Sequence, residues 1–410
     1  MKLNSTFLPA PWLRVAIAVC AVGWGANQFT ALLPMYRTDL HLSGPTAQAT
    51  FACYVLGLVP GLLLGGPAAD RHGRRAVLLP ATGLSVLSGL VLIAGQLGIG
   101  WLFLGRLFAG IASGGAFSAG TAWLKELSEP VSTSVSSGQG ARRATVAMTL
   151  GFGVGPLVAG AVAQWAPAPG PLAYLPHLAL ALAAIGLLLG TPDGRRQPSA
   201  ARPDRRFTGV PIALRRAALP MAPWVFASVG VALAYLPGVI APRLAGYPVL
   251  FSGAITLLCA LTGVLVQPLA RRLAAGGPAR PLGVGLGLIT VGLVLGAVAA
   301  ALLSPLLVLV TAVLQGAGYG CCLVYGLSEV LRLAEPTQLG RLTALFQACC
   351  YLGFVVSYPL AALQALAPPP VLLLGMAALS LATLVRTWRP ARDNNHQPVV
   401  SGTGPVRHGV

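Results

Sequence analysis

Acidic side chains are nearly missing from this chain: nine Asp and Glu among 410 residues, against 27 Lys and Arg. Charge of either sign is scarce, at 9% of residues where an ordinary soluble domain carries roughly a quarter, so a soluble globular protein is not expected. The five histidines, His41, His72, His177, His396 and His408, are scattered. The seven cysteines, Cys20, Cys53, Cys259, Cys321, Cys322, Cys349 and Cys350, lie inside apolar blocks without CxxC or His-partner spacing, and read as packing residues. Neither a metal site nor a cofactor is expected. A polytopic membrane enzyme would need paired acids, a His cluster or a Ser/His set near one face, and none is visible.

Apolar residues fill the gap, at 56% of the chain. Blocks long enough to cross a bilayer, about 20 residues for a ~30 Å hydrocarbon core, recur near 13–36, 46–69, 75–96, 100–124, 142–166, 172–190, 219–241, 248–270, 281–302, 304–330, 338–364 and 369–388. The first follows Arg14 as a signal-peptide core would, but its length and the later blocks make it a first membrane helix. An all-α integral membrane protein of twelve spans is therefore expected.

A net charge of +18 would point to nucleic acid in a soluble domain. Here the charges alternate by side. With a cytoplasmic amino terminus, nearly all basic residues fall in cytoplasmic segments, except Arg37 and Arg243 outside and Arg106 within a span. That asymmetry is the positive-inside pattern. It predicts a multi-pass protein of the cell membrane with both termini cytoplasmic, touching anionic headgroups rather than nucleic acid.

Between the sixth and seventh blocks runs "TPDGRRQPSAARPDRRFTGVPIALRR", too polar to enter the bilayer. It predicts a linker at 191–218 between six-helix bundles at 1–190 and 219–388, with a short amphipathic helix lying on the membrane near Ile212 to Arg216. A tail at 389–410 is expected to be disordered. Without gaps, Gly110, Gly114, Gly120, Leu127, Glu129 and Pro130 match Gly316, Gly320, Gly326, Leu333, Glu335 and Pro336, and Arg37 matches Arg243, at one offset. Two halves of common origin, rocking about a central site, follow.

One short turn gathers five ionisable groups, in "GPAADRHGRR" at 66–75. Gly66, near the end of its span, removes a side chain so that a neighbouring helix can approach, and Gly73 permits a tight reversal. Asp70 could accept from Arg71 or Arg74, face the amino-terminal dipole of a helix from the other half, or be a solvated counter-charge in a basic loop. The pattern Gly66-x-x-x-Asp70-Arg71-x-Gly73-Arg74-Arg75 resembles the signature of the major facilitator superfamily, in its expected loop. The resemblance implies two pseudo-symmetric six-helix bundles around a cavity open to one side at a time, and solute transport. It also implies that Asp70 latches the halves together on the cytoplasmic side in the outward-open state. The second half departs from the pattern, with Arg271 where Asp70 has its counterpart.

Arg106 is the only basic residue well inside a span, with Gly110 and Gly114 on its own helix face. It faces a cavity or partner, or else snorkels to the nearby interface. The pattern resembles the fourth-helix Arg motif of twelve-helix drug/proton antiporters, which implies proton coupling. In "GFGVGPLVAG", Gly151, Gly155 and Ala159 share one face while Pro156 and Gly160 add a kink and a bare surface. This resembles the motif of proton-driven exporters, which packs the two halves together; alone it is a small-residue helix contact. No acid sits at a span midplane. Glu329 is the best titrating candidate for coupling, or else a cap paired with a nearby Arg. Trp24, Asn27 and Gln28 are expected to face a substrate cavity opposite Tyr235, Tyr319, Tyr325, Gln347 and Tyr351, although each could instead bond helix to helix. These features together predict a monomeric, alternating-access exporter of weakly polar or cationic organic molecules coupled to protons. An importer of a small nutrient is the alternative.

Overall fold

The computed structural model describes residues 9–128, 139–193, 209–277, 279–335 and 338–393, and side chains through Trp388. Among them, twelve helical segments are long and apolar enough to cross a membrane. The first six are Pro11–Asp39, Gly44–His72, Arg74–Leu97, Ile99–Ser128, Gln139–Trp165 and Pro169–Leu189. The second six are Leu214–Arg243, Pro248–Ala275, Ala279–Leu302, Pro305–Leu333, Leu339–Ala365 and Pro369–Trp388. No strand occurs among the described residues. Hydrocarbon offers the backbone no hydrogen-bond partner, so apolar runs of this length satisfy their own carbonyls and amides as helices.

Local chemistry sets the ends. Ser43 caps span two, its hydroxyl accepting from the Thr46 amide at 3.2 Å, and Ser304 caps span ten from Leu307 at 3.4 Å. Gly73, at φ +101°, closes span two and opens span three, a left-handed conformation that a side chain would strain.

Because the helices alternate direction, one end of the molecule carries Asp70 and the other Arg37. Spans two and four, one and five, and three and four pack closely in the first half; nine and ten, nine and twelve, and eight and ten do so in the second. Spans five and eight, and two and eleven, join the halves. These two joins exchange under the repeat, in which two corresponds to eight and five to eleven. The repeat also holds at the glycines: side chains on Gly110 and Gly114 would collide with the backbone of span two around Gly57 and Gly61, and on Gly316 and Gly320 with that of span eight around Cys259 and Gly263.

Two elements differ from expectation. Ile212 to Arg216 is no separate surface helix; the seventh span begins there, with Leu214, Ala217 and Ala218 fully buried. The burial of one face against the bundle outweighs the two arginines, which stay exposed. The last helix continues to Asp393, past the expected start of the tail. Glu129, Pro130, Pro336, most of the linker and the tail from 394 onward lie outside the described residues.

Candidate functional site

At the Asp70 end, the charges of the turn pair inside the first half. Arg74 donates to Asp70 at 2.5 Å and to Glu126 of span four at 2.9 Å. The Asp70 side chain is 66% exposed, and its ion-pair partner among the described residues is Arg74, not Arg71. Arg71 itself is exposed. Asp193, beyond span six, accepts from the backbone amide of Arg75 at 3.2 Å, and the Arg75 guanidinium donates to the Leu189 carbonyl at 2.7 Å. Arg14 donates to the Gly190 carbonyl at the same corner, 2.7 Å away. These reciprocal caps tie the turn to the end of span six; neither Asp193 nor Arg14 stood out in the sequence, since their partners are 118 and 176 residues away. In this conformation no described helix lies against Gly66: a side chain there would meet nothing within 4 Å.

At the Arg37 end, by contrast, the halves are bonded to each other. Gln48 donates to the Ala234 carbonyl at 2.7 Å, Gln164 to Gly246 at 2.9 Å and Arg37 to Gly238 at 3.4 Å. Among the described residues these are the side-chain hydrogen bonds that cross between halves. Ala234 lies in a widened π turn, Val231–Tyr235, of span seven, a distortion of the kind that recurs at functional positions. A cavity of about 280 Å³ lies here, lined by both halves, with Thr30, Arg37, Gln48, Tyr235, Ser252 and Gln364 among its polar residues. The Tyr235 hydroxyl receives a hydrogen bond from Gln364 at 2.9 Å.

Small residues of span five seat it against two helices at once. Gly151 and Gly155 face span one, where a side chain would strike Cys20 and Trp24. Pro156 and Gly160 face span eight in the other half: Gly253 lies under the Pro156 carbonyl, and Gly160 under Val249.

Arg106 is 1% exposed, which excludes snorkelling in this conformation. It donates to the carbonyls of Ala26 at 2.7 Å and Phe51 at 3.3 Å. Its guanidinium carbon stands 4.6 Å from the Tyr54 ring centroid, 4.8 Å from Phe29 and 5.8 Å from Phe51. A charge at mid-membrane costs roughly 2.5–3.5 kcal/mol on insertion scales, and a desolvated cation–π contact returns on the order of 2 kcal/mol. Three rings and two carbonyls therefore hold the cation without a carboxylate. Glu329, 3% exposed, is engaged through both oxygens by Arg332, at 2.8 and 3.1 Å, which is the pairing of the cap alternative.

The expected cavity residues divide. The Asn27 amide donates to the Phe152 carbonyl of span five at 3.1 Å, a helix-to-helix bond, and Trp24 packs on the same helix beside Gly155. Gln28 is fully buried; its amide, the Trp24 indole nitrogen and the Tyr325 hydroxyl find no partner among the described residues. Tyr319 and Tyr351 stack on Phe226, at 6.3 and 4.4 Å between centroids, and Phe354 joins the stack at 4.8 Å. Phe51 of the first half meets Phe354 edge-on at 5.5 Å. Tyr235 sits instead at the Arg37 end, and Gln347 is half-buried on span eleven. Phe226, Phe354 and Phe51 had no sequence signal, since an apolar ring in an apolar span is unremarkable by itself.

With this geometry in hand, the chain is matched by a family model described as Major Facilitator Superfamily over residues 15–295. Over 127 residues it is 26% identical to the glucose transporter GlcP of Staphylococcus epidermidis, covering 31% of this chain and 28% of that protein. Over 103 residues it is 27% identical to the multidrug resistance protein MdtL of Escherichia coli, covering 25% and 26%. The matched stretches thus span little more than a quarter of those relatives. Among solved structures, a POT family transporter in complex with 5-aminolevulinic acid superposes with a TM-score of 0.78 at 12% identity, over 95% of this chain and 97% of that one. A D-xylose–proton symporter gives 0.72 at 17% identity, over 96% and 98%.

Proposed function

The chain belongs to the Major Facilitator Superfamily, and from that premise we propose that it is a transporter that exports small organic molecules from the cell in exchange for protons. Its two bundles, spans one to six and spans seven to twelve, alternate access to a site between them, and a single copy suffices. The excess of arginine in alternate loops supports cytoplasmic termini, with the Asp70 end on the cytoplasmic face of the cell membrane.

One observation carries the alternating-access reading: among the described residues, hydrogen bonds cross between halves at the Arg37 end, while each ion pair of the Asp70 end stays within one half. This is the arrangement of a carrier closed to the outside and open to the cytoplasm. In the opposite state Asp70 leaves Arg74 to latch the halves, and the bare surface at Gly66 receives the helix that is absent from it here. Efflux is supported by the Pro156 and Gly160 contact with span eight, which keeps the outer face tight, and by the MdtL match. Proton coupling or substrate charge is assigned to Arg106, a buried guanidinium whose hydrogen-bond acceptors are two backbone carbonyls, with no carboxylate paired to it among the described residues. Glu329, held by Arg332 in this conformation, is the second candidate. The aromatic stack of Phe226, Tyr351 and Phe354 supplies flat apolar surface for weakly polar solutes. A nutrient importer is favoured only by the GlcP match.

Uptake of a panel of labelled solutes into energised inverted vesicles, with and without a protonophore, tests this. Concentrative uptake that collapses with the gradient is the expected result, with Asp70→Asn slowing it several-fold at unchanged abundance. Uptake indifferent to the protonophore removes the exchange mechanism, and accumulation only in right-side-out vesicles reverses the direction.

A further inference from the structure

Span one floors a groove of about 570 Å³ whose walls are spans five and six, and no described residue of the second half lines it. It is therefore separate from the surfaces between halves on which transport depends. Its lining is apolar along Leu13, Ile17, Cys20, Val146, Leu150 and Leu180. At one end the character changes: Arg142 and Arg143 stand beside Trp12, and the Arg143 guanidinium lies 3.8 Å from the Trp12 ring centroid. Neither arginine is paired with a carboxylate among the described residues. Both begin span five, as Trp12 begins span one, so the cations sit at the Asp70 end and the apolar walls run inward from them.

We propose that this groove holds one anionic phospholipid, its phosphate on Arg142 and Arg143 and an acyl chain along spans one, five and six. Two features choose a lipid over a soluble anion or an apolar solute. From Trp12 to Cys20 the floor rises about 12 Å at 1.5 Å per residue, close to the ~15 Å of hydrocarbon in one leaflet, so the depth fits a chain hanging from a headgroup at the interface. Both guanidiniums are at the interfacial end, where headgroup charge lies, and Trp12 is an interfacial anchor beside them. The stacking fixes Arg143 on Trp12 while Arg142 stays exposed at the mouth.

The full chain, purified in detergent and analysed by native mass spectrometry in an equimolar mixture of phosphatidylglycerol and phosphatidylcholine, tests the site. The wild type should carry one phosphatidylglycerol in preference to phosphatidylcholine by roughly tenfold, a preference two guanidiniums can supply. Arg142→Gln with Arg143→Gln should bring the ratio near one, and Arg142→Lys with Arg143→Lys should keep most of it, which separates lost charge from a misfolded chain. Leu150→Trp, filling the groove, should remove both lipids while leaving melting within a few degrees. Equal retention of the two lipids by the wild type overturns the proposal, as does a preference that survives the double Gln variant. Displacement of the bound lipid by millimolar glycerol 3-phosphate would show that the arginines take a free phosphate and also overturns it.

Discussion

The two ends of this molecule hold themselves together in opposite ways. At the Arg37 end, helices of different halves lie almost backbone to backbone, Gly253 beneath Pro156 and Gly160 beneath Val249, and three side chains bond across. At the Asp70 end there are more charges, yet Arg74 pairs with Asp70 and Glu126, and Arg75 bonds to Asp193 and Leu189, all on spans two to six and the residues just after them. The difference teaches that charge density and inter-half adhesion are separate properties. Hydrogen bonds to backbone carbonyls and bare glycine surfaces join the halves at the Arg37 end, whereas the turn at the Asp70 end pairs its ions within one half.

The sharpest way to break that contrast is Gly253→Leu. Its first side-chain carbon would lie 2.6 Å from the Pro156 carbonyl oxygen and 3.0 Å from the Leu157 Cα, so the halves must part where they now touch. Overpacking of this kind costs about 1–3 kcal/mol or more; transport in vesicles should fall at least tenfold and the melting temperature by several degrees. Wild-type values of both would mean that this contact is not what closes the Arg37 end.

Gly66→Leu probes the other end and separates the two measurements. Open space surrounds Gly66 here, so melting should stay within the ~0.5 kcal/mol of an ordinary surface change. Transport should still drop about tenfold, because the side chain obstructs closure of the Asp70 end. Normal transport would show that no helix ever closes over it.

The smallest expected effect is that of Gln48→Leu, which removes one bond of 2.7 Å to Ala234. A net loss of about 1 kcal/mol shifts a two-state equilibrium roughly fivefold toward the form closed at the Asp70 end. In a cysteine-free background, spin labels at the exposed Leu64 and Leu265 should report a larger population at short distance. An unchanged distribution would remove Gln48 from the closed end.

Much of the architecture was legible from single residues. Twelve apolar blocks gave twelve helices, because hydrocarbon leaves an apolar run of that length no other way to satisfy its backbone. The turn at Gly73 was legible for the same kind of reason, as was a bare face at Gly110 and Gly114 for another helix, though not that the helix would be span two. Gly57, Gly61 and Gly65 of span two are spaced to answer those glycines, and that spacing could have been found. Gln48 could have been singled out too, as an amide in an apolar span. Asp70's choice of Arg74 over Arg71, and the chemistry around Arg106, could not be settled in advance, since each depends on residues 50 to 80 positions away.

What the sequence alone determined is local and additive: span number, the scarcity of acids, the basic loops, the glycine stripes and the duplicated register. Which end of the two halves is joined was decided only by tertiary structure. Both ends carry groups able to bond across, and which of them do so depends on the relative tilt of two six-helix units, a rigid-body variable that no residue encodes by itself. The same holds for the aromatic stack and for the lipid groove, where residues from three helices acquire a common property only once the helices are side by side.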